Sequence, residues 1–177
     1  MRVEVKPLSK RDARKLLEAA ASYYARLPFP SKPRVASGRV KLDSGWIEVY
    51  VIEGVPCLFR GADGRLYPTI LCLRRYGSSW LKGVVVVDKG AAIALSKGAH
   101  LMLPGIERVE GGFAKGDIIA AVYGEARSPV MVGVAEHGSE EMRRLVESGS
   151  RGKAVSRVHR LGDRIWEASL ELEKKGV

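Results

Sequence analysis

Val87-Asp88-Lys89-Gly90-Ala91, followed by Leu95-Ser96-Lys97-Gly98-Ala99-His100-Leu101-Met102-Leu103-Pro104-Gly105-Ile106, is the stretch whose reading decides the fold. It begins at the end of Val84-Val85-Val86-Val87, an apolar run long enough for a buried strand and too short for a core helix. Asp88 then caps a small helix over Lys89 to Lys97, ended by Gly98. Ala99 to Leu103 reads as a strand and Pro104-Gly105 as a turn. Downstream, Asp117 to Tyr123 and Val130 to Glu136 are strand-like, and Ser139-x-x-Met142 starts a helix running to Glu147. Lys153 to Val158 and Arg164 to Ala168 read as the last two strands. Short strands interrupted by two small helices predict a closed or nearly closed barrel rather than a parallel sheet.

Upstream, Val3 and Val5 suggest a short strand, and Ser9 is placed to cap a helix reaching about Leu27. Its apolar face is Ala13, Leu16, Leu17, Ala20, Tyr24 and Leu27, against a charged side of Lys10, Arg11, Arg14, Lys15 and Glu18. The proline-rich Pro28 to Pro33 stretch is a stiff connector. Strands follow at Arg34 to Lys41, Trp46 to Ile52 and Pro56 to Arg60, with a turn at Ala62 to Arg65 and a short helix opened by Pro68 and running to Tyr76. The expected organisation is therefore α+β. A small mixed domain over 1–81 precedes a barrel-like domain over 82–177 that ends in a short tail.

Charge is unevenly spread. Met1 to Gly83 holds 16 Lys and Arg against 7 Asp and Glu, whereas the remainder holds 14 against 13. A net charge of +10 favours a polyanionic partner, although a basic composition also suits a thermophile. The complete lack of Asn and Gln points to a thermophilic source and removes the bidentate amide grip on adenine. No apolar run is long enough to span a membrane, and the alternating start Met1 to Lys6 has no signal-peptide core, so a cytoplasmic location is expected. Cys57 and Cys72 lack the spacing and the histidines of a zinc site. They read as buried thiols, with a disulfide left open. Isolated carboxylates and the absence of nucleophile-elbow or phosphate-gripping motifs point away from catalysis, so neither cofactor nor metal is expected.

The quoted stretch resembles the signature of PUA domains, RNA-binding modules found in pseudouridine synthases and archaeosine transglycosylases. Gly116-Asp117, Gly124, Val132-Gly133-Val134 and Gly162-Asp163-Arg164-Ile165-Trp166 fall where that family has its glycines and final strand. Pro56-Cys57-Leu58-Phe59 and Asp63-Gly64-Arg65-Leu66-Tyr67-Pro68-Thr69, taken with the Val87 to Ala91 element, resemble the malignant-T-cell-amplified family of translation-associated proteins. That resemblance implies a pre-PUA domain before a PUA pseudo-barrel. It also implies RNA as partner, either tRNA or rRNA of the small ribosomal subunit, during initiation, reinitiation or recycling. A protein partner could engage the N-terminal domain.

Two surfaces are candidates for RNA. Lys89, Gly90, Ala91, Lys97, Gly98, Ala99, His100 and Gly105 would let a sugar-phosphate backbone approach main-chain amides beside a positive helix end. Taken singly, the glycines also fit a helix cap, a turn and tight packing. Arg151, Lys153, Arg157, His159 and Arg160 form the densest basic patch of the second half, with alternation placing several on one strand face and His159 stacking on a base. The competing reading is a solvated surface with ion pairs to Glu136 or Glu141. A translation-associated RNA-binding factor is the leading expectation; an RNA-delivery subunit of a modification enzyme and a protein-interaction adaptor are the alternatives.

Overall fold

The computed structural model describes residues 2–176; Met1 and Val177, the outer ends of the two expected domains, lie outside the described residues. The chain divides into two compact units, one running to Gly77 and resuming at Gly162, the other spanning Ser78–Leu161.

In the first unit β1 (Val3–Pro7), β2 (Val35–Leu42), β3 (Gly45–Ile52), β4 (Val55–Arg60) and β5 (Leu66–Pro68) form an antiparallel meander in chain order. Period-two alternation decides what each face of the sheet carries. Val40, Leu42, Ile47, Val49 and Val51 enter a core, and Arg39, Lys41, Trp46 and Glu48, one residue out of phase, take the opposite face. Helix α1 (Lys10–Ala21) starts as expected, with the Ser9 hydroxyl accepting the Asp12 N–H at 3.0 Å. It stops short of Leu27 because Ser22 donates back to the Ala19 carbonyl at 2.7 Å and Tyr24 turns inward to donate to the Leu66 carbonyl at 2.5 Å. Helix α2 (Ile70–Tyr76) is capped by Thr69, while Pro68, expected to open it, ends β5 instead. Cys57 and Cys72 are buried, free thiols.

Arg164 to Ala168, expected as a closing strand, instead begins a helix, whose range here is Arg164–Lys174. The Asp163 carboxylate caps it by accepting the Trp166 N–H at 2.9 Å, and Ile165, Ala168 and Leu172 recur at three and four. Its apolar side lies in the first unit's core, where Gly38 makes room for Leu172: a Cβ at Gly38 would sit 2.6 Å from a Leu172 methyl. Residues after Gly162 therefore complete the first unit rather than trailing from the second.

The second unit contains β6 (Gly83–Val87), α3 (Lys89–Ser96), β7 (Leu101–Met102), a 3-10 turn (Leu103–Gly105), β8 (Ile106–Gly111), β9 (Ile118–Tyr123), β10 (Ser128–Ala135), α4 (Ser139–Glu147) and β11 (Lys153–Arg160). The C-terminal helix of the first unit is α5. Strand order is β7-β11-β10-β9-β6-β8, with only β6 and β9 parallel. Because β7 and β8 are opposite edges joined by only the 3-10 turn, the sheet must curl until those edges approach. This is the expected pseudo-barrel, filled by Val85, Val87, Leu101, Ile119, Met131 and Val155 among others. Val84, Val86 and Val122 are buried on the other side of the sheet, which explains the unbroken apolar run of β6. The N-cap of α4 is Gly138 rather than Ser139, whose hydroxyl accepts the Phe113 N–H at 3.2 Å. Among the described residues no helix is long and apolar enough to cross a membrane.

Candidate nucleic-acid interface

Local bonding fixes α3 against the turn that follows β7. Asp88 accepts the Ala91 N–H at 2.7 Å and donates its own N–H to the Gly105 carbonyl at 3.0 Å. A Cβ on Gly105 would lie 2.6 Å from that of Ala91, so these two small residues are explained by close packing. Gly98, with φ of +96°, ends α3 in the left-handed conformation that glycine adopts without strain. Gly90 and Ala99 are exposed. The Asp88 carboxylate already occupies the helix N-terminus, so the phosphate expected there would meet a negative cap rather than open N–H groups.

The end of α3 is tied to β11 by charged donors. The Arg157 Nε donates to the Gly98 carbonyl at 2.8 Å, and the Arg160 Nη1 donates to the carbonyls of Ser96 at 3.0 Å and Leu161 at 2.8 Å. A cation at a helix C-terminus is favourable, and these two arginines are in part structural. His100 accepts the Arg157 backbone N–H on Nδ1 at 2.8 Å, which leaves Nε2 as the proton-bearing nitrogen of the neutral ring. Partial desolvation, then the charges of Lys153 and Arg157, hold its pKa below the usual histidine value. Lys153 lies opposite Met102 and 3.7 Å from Glu136, realising one of the ion pairs weighed against RNA binding. Glu136 also accepts the Ser156 hydroxyl, and with Lys153 this keeps its carboxyl below the ordinary range.

His159 is a correction. It is 0% exposed and cannot stack on a base. Val132 pairs with His159 but Gly133 pairs with Arg157, so Val158 is the extra residue of a β-bulge and alternation breaks there. The face expected to present Arg157 and His159 together is split, with the imidazole turned inward.

Lys89, Lys97, Arg151 and Lys153 remain exposed along the α3–β7–β11 rim, and the first three have no ion pair among the described residues. Arg151 joins it because Gly152, its neighbour, accepts the Leu103 N–H at 2.8 Å. Ile93 at 47% and Met102 at 48% exposure add apolar surface. Neither was among the expected site residues; for Met102 the signal is its position between buried Leu101 and Leu103, which turns it outward. Exposed cations, a neutral imidazole and apolar side chains beside small residues suit phosphate contact together with nucleotide stacking. Among the described residues no group of three His, Cys, Asp or Glu is placed to hold a metal.

Comparison with known proteins gives this geometry a family. The PUA domain model matches residues 83–160, and a domain of unknown function, DUF1947, matches residues 7–76. A crystal structure of a PUA domain from Aeropyrum pernix K1, in a tartrate complex, is 53% identical, with a TM-score of 0.94 over 97% of this chain and 94% of that one. Translation machinery-associated protein 20 of Schizosaccharomyces pombe is 29% identical over 128 residues, covering 70% of this chain and 67% of its own length. Eukaryotic translation initiation factor 2D of Oryctolagus cuniculus is 30% identical over 171 residues, but those residues are 89% of this chain and only 29% of the factor. The chain belongs to the PUA-domain family, with its PUA domain at residues 83–160 behind a DUF1947 domain at residues 7–76, and its relatives include proteins named for translation.

Proposed function

We propose that this chain is a non-catalytic, cytoplasmic RNA-binding factor of translation, and that the α3–β7–β11 rim contacts tRNA or small-subunit rRNA during initiation, reinitiation or recycling. The observation that carries the reading is an exposed rim on which Lys89, Lys97 and Arg151 have no carboxylate partner among the described residues, in a PUA domain whose relatives are named as translation factors. Gly90, Ala99 and His100 border those cations. Arg157 and Arg160, both partly exposed, hold the end of α3 beside that surface.

The test is tRNA binding by the full chain and by the Lys89→Glu/Lys97→Glu/Arg151→Glu variant across a salt series. Losing three phosphate contacts lowers the slope of log affinity against log salt by roughly 2–3. Co-sedimentation with small ribosomal subunits at low salt supplies the second readout. Wild-type protein that neither binds tRNA nor sediments with small subunits refutes the reading. Copurification with an RNA-modifying enzyme instead of ribosomal proteins supports a delivery subunit in its place.

A further inference from the structure

Arg34, Arg39, Lys41, Arg74 and Arg75 carry part of the first half's positive charge, and the structure sorts them. Arg34 pairs with Glu53 at 3.3 Å; Arg74 lies over the Trp166 ring at 4.8 Å and Arg75 over Tyr76 at 5.5 Å. Arg39 and Lys41 belong together, because Lys41 is the cross-strand partner of Trp46 and Arg39 is two residues along the same face. Arg2 joins them, its carbonyl accepting the Lys41 N–H at 2.8 Å. The Arg39 guanidinium lies 4.6 Å from the Trp46 ring centroid, that of Arg2 5.6 Å and the Lys41 ammonium 5.9 Å.

Three cations around one half-buried indole repel one another, and the two carboxylates on the same face offset them only in part. Glu48, opposite Arg39, accepts the Ser37 hydroxyl at 2.7 Å and has no ion pair among the described residues. Glu4 contacts Arg2 at 3.3 Å and Arg39 at 3.4 Å, while Lys41 has no ion-pair partner among the described residues. Attraction to the ring's negative face holds the cations close and leaves the deficit to an anion. The face is the one turned away from the α5 core, and Arg2, Lys6, Arg39 and Lys41 on it are exposed. Among the described residues of this sheet the exposed large apolar side chain is Val5, which lies across from Gly38 on the opposite face, so the cationic face has no exposed apolar centre of the kind a protein-binding patch carries. A guanidinium stacked on an aromatic ring beside further cations is instead the surface that unpaired nucleotides use, phosphates on the charges and a base on the stacked plane.

We infer that this face of the β1–β2–β3 sheet is a second RNA contact, taking a single-stranded segment with its phosphates on Arg2, Arg39 and Lys41 and a base against the Arg39–Trp46 stack. It rests on the RNA-binding reading of the chain and adds a surface separate from the PUA rim.

The full chain is cross-linked to a 12-nucleotide single-stranded oligoribonucleotide carrying 5-iodouridine, and the adducts are mapped by mass spectrometry. The expected adducts include the peptide holding Trp46. In salt titrations with the same oligonucleotide, Arg39→Glu/Lys41→Glu weakens binding at least tenfold at low salt and lowers the salt slope by about 1–2. Arg39→Ala/Lys41→Ala, which adds no new repulsion, gives a smaller loss of the same sign with an unchanged circular dichroism spectrum. If both sheet variants bind like wild type while the rim variant is weakened, the second contact is refuted and the proposed function stands. If wild type binds no RNA, both fail. Unchanged RNA binding with loss of an acidic protein ligand makes this a protein-docking face and overturns the inference.

Discussion

Gly105→Ala tests the packing that positions the rim. The added Cβ would sit 2.6 Å from the Ala91 Cβ, against about 3.5–4.0 Å for an ordinary carbon contact, so α3 and the 3-10 turn must part by about 1 Å. They resist, because the Asp88 N–H is bonded to the Gly105 carbonyl at 3.0 Å and the Asp88 carboxylate to the Ala91 N–H at 2.7 Å. Overpacking of this kind costs about 1–3 kcal/mol. Ala91→Gly removes the opposing carbon and leaves only ordinary contacts, Leu101 Cδ1 at 3.6 Å and the residue 91 Cα at 3.7 Å. That substitution alone costs about 1 kcal/mol in helix propensity. The double variant is therefore destabilised by about 1 kcal/mol rather than by the sum, a coupling of about 1–3 kcal/mol in its favour. Urea unfolding measures it, with amide exchange at Ile119 and Ala121 reporting the second unit alone. RNA affinity should fall in Gly105→Ala and return in the double variant. Additivity within about 0.5 kcal/mol would refute the packing argument.

Asp88→Ala removes the N-cap of α3 and should destabilise the second unit by about 1 kcal/mol, read by the same exchange experiment. Glu110 is held at a pKa of about 2 by hydrogen bonds from Arg127, then Arg108. Its contribution is complete above the ordinary value of 4.5 and is lost as pH falls toward 2, so Glu110→Gln should flatten the decline of thermal stability across that window. His100 has a lowered pKa, so its contribution is present above 6.5 and fades as pH falls below it. Its ring resonances should titrate below the ordinary midpoint in proton NMR and move upward when RNA is bound.

Much of the fold was legible because local signals agreed with the final packing. The four valines of β6, the Asp88 cap and Gly98 each specify what the structure contains. Failures came where a local pattern was thin. Ile106–Gly111 was not expected as a strand: it offers only Ile106 and Val109 as buried anchors, and a register shift at Val86/Val87 disturbs their spacing. Arg164-Ile165-Trp166 looks extended over three residues, while the capping carboxylate of Asp163 and the spacing of Ile165, Ala168 and Leu172 show a helix only over the longer window. That α5 belongs with β2 and β3 is a long-range fact, carried by the fit of Leu172 against Gly38.

The site was legible as a composition but not as a division of labour, because charge in a sequence does not say whether a donor is already engaged. Arg160 and Lys97 make the distinction measurable. Arg160 caps the Ser96 carbonyl and also holds that of Leu161, whereas Lys97 is exposed without an ion-pair partner among the described residues. Hydrogen bonds to charged groups contribute about 1.5–3 kcal/mol, so Arg160→Ala should lower stability by that order. Lys97→Ala should leave stability within about 0.5 kcal/mol of wild type, as surface changes do. On RNA the ranking reverses: Lys97→Ala removes one phosphate contact and about 0.7–0.9 from the salt slope, and Arg160→Ala weakens binding mainly by loosening α3. Denaturant unfolding beside salt titrations of the two variants separates these roles. If Arg160→Ala leaves stability untouched and takes the larger share of the slope, the guanidinium is an RNA ligand rather than a helix cap, and the division drawn from the carbonyl contacts is wrong.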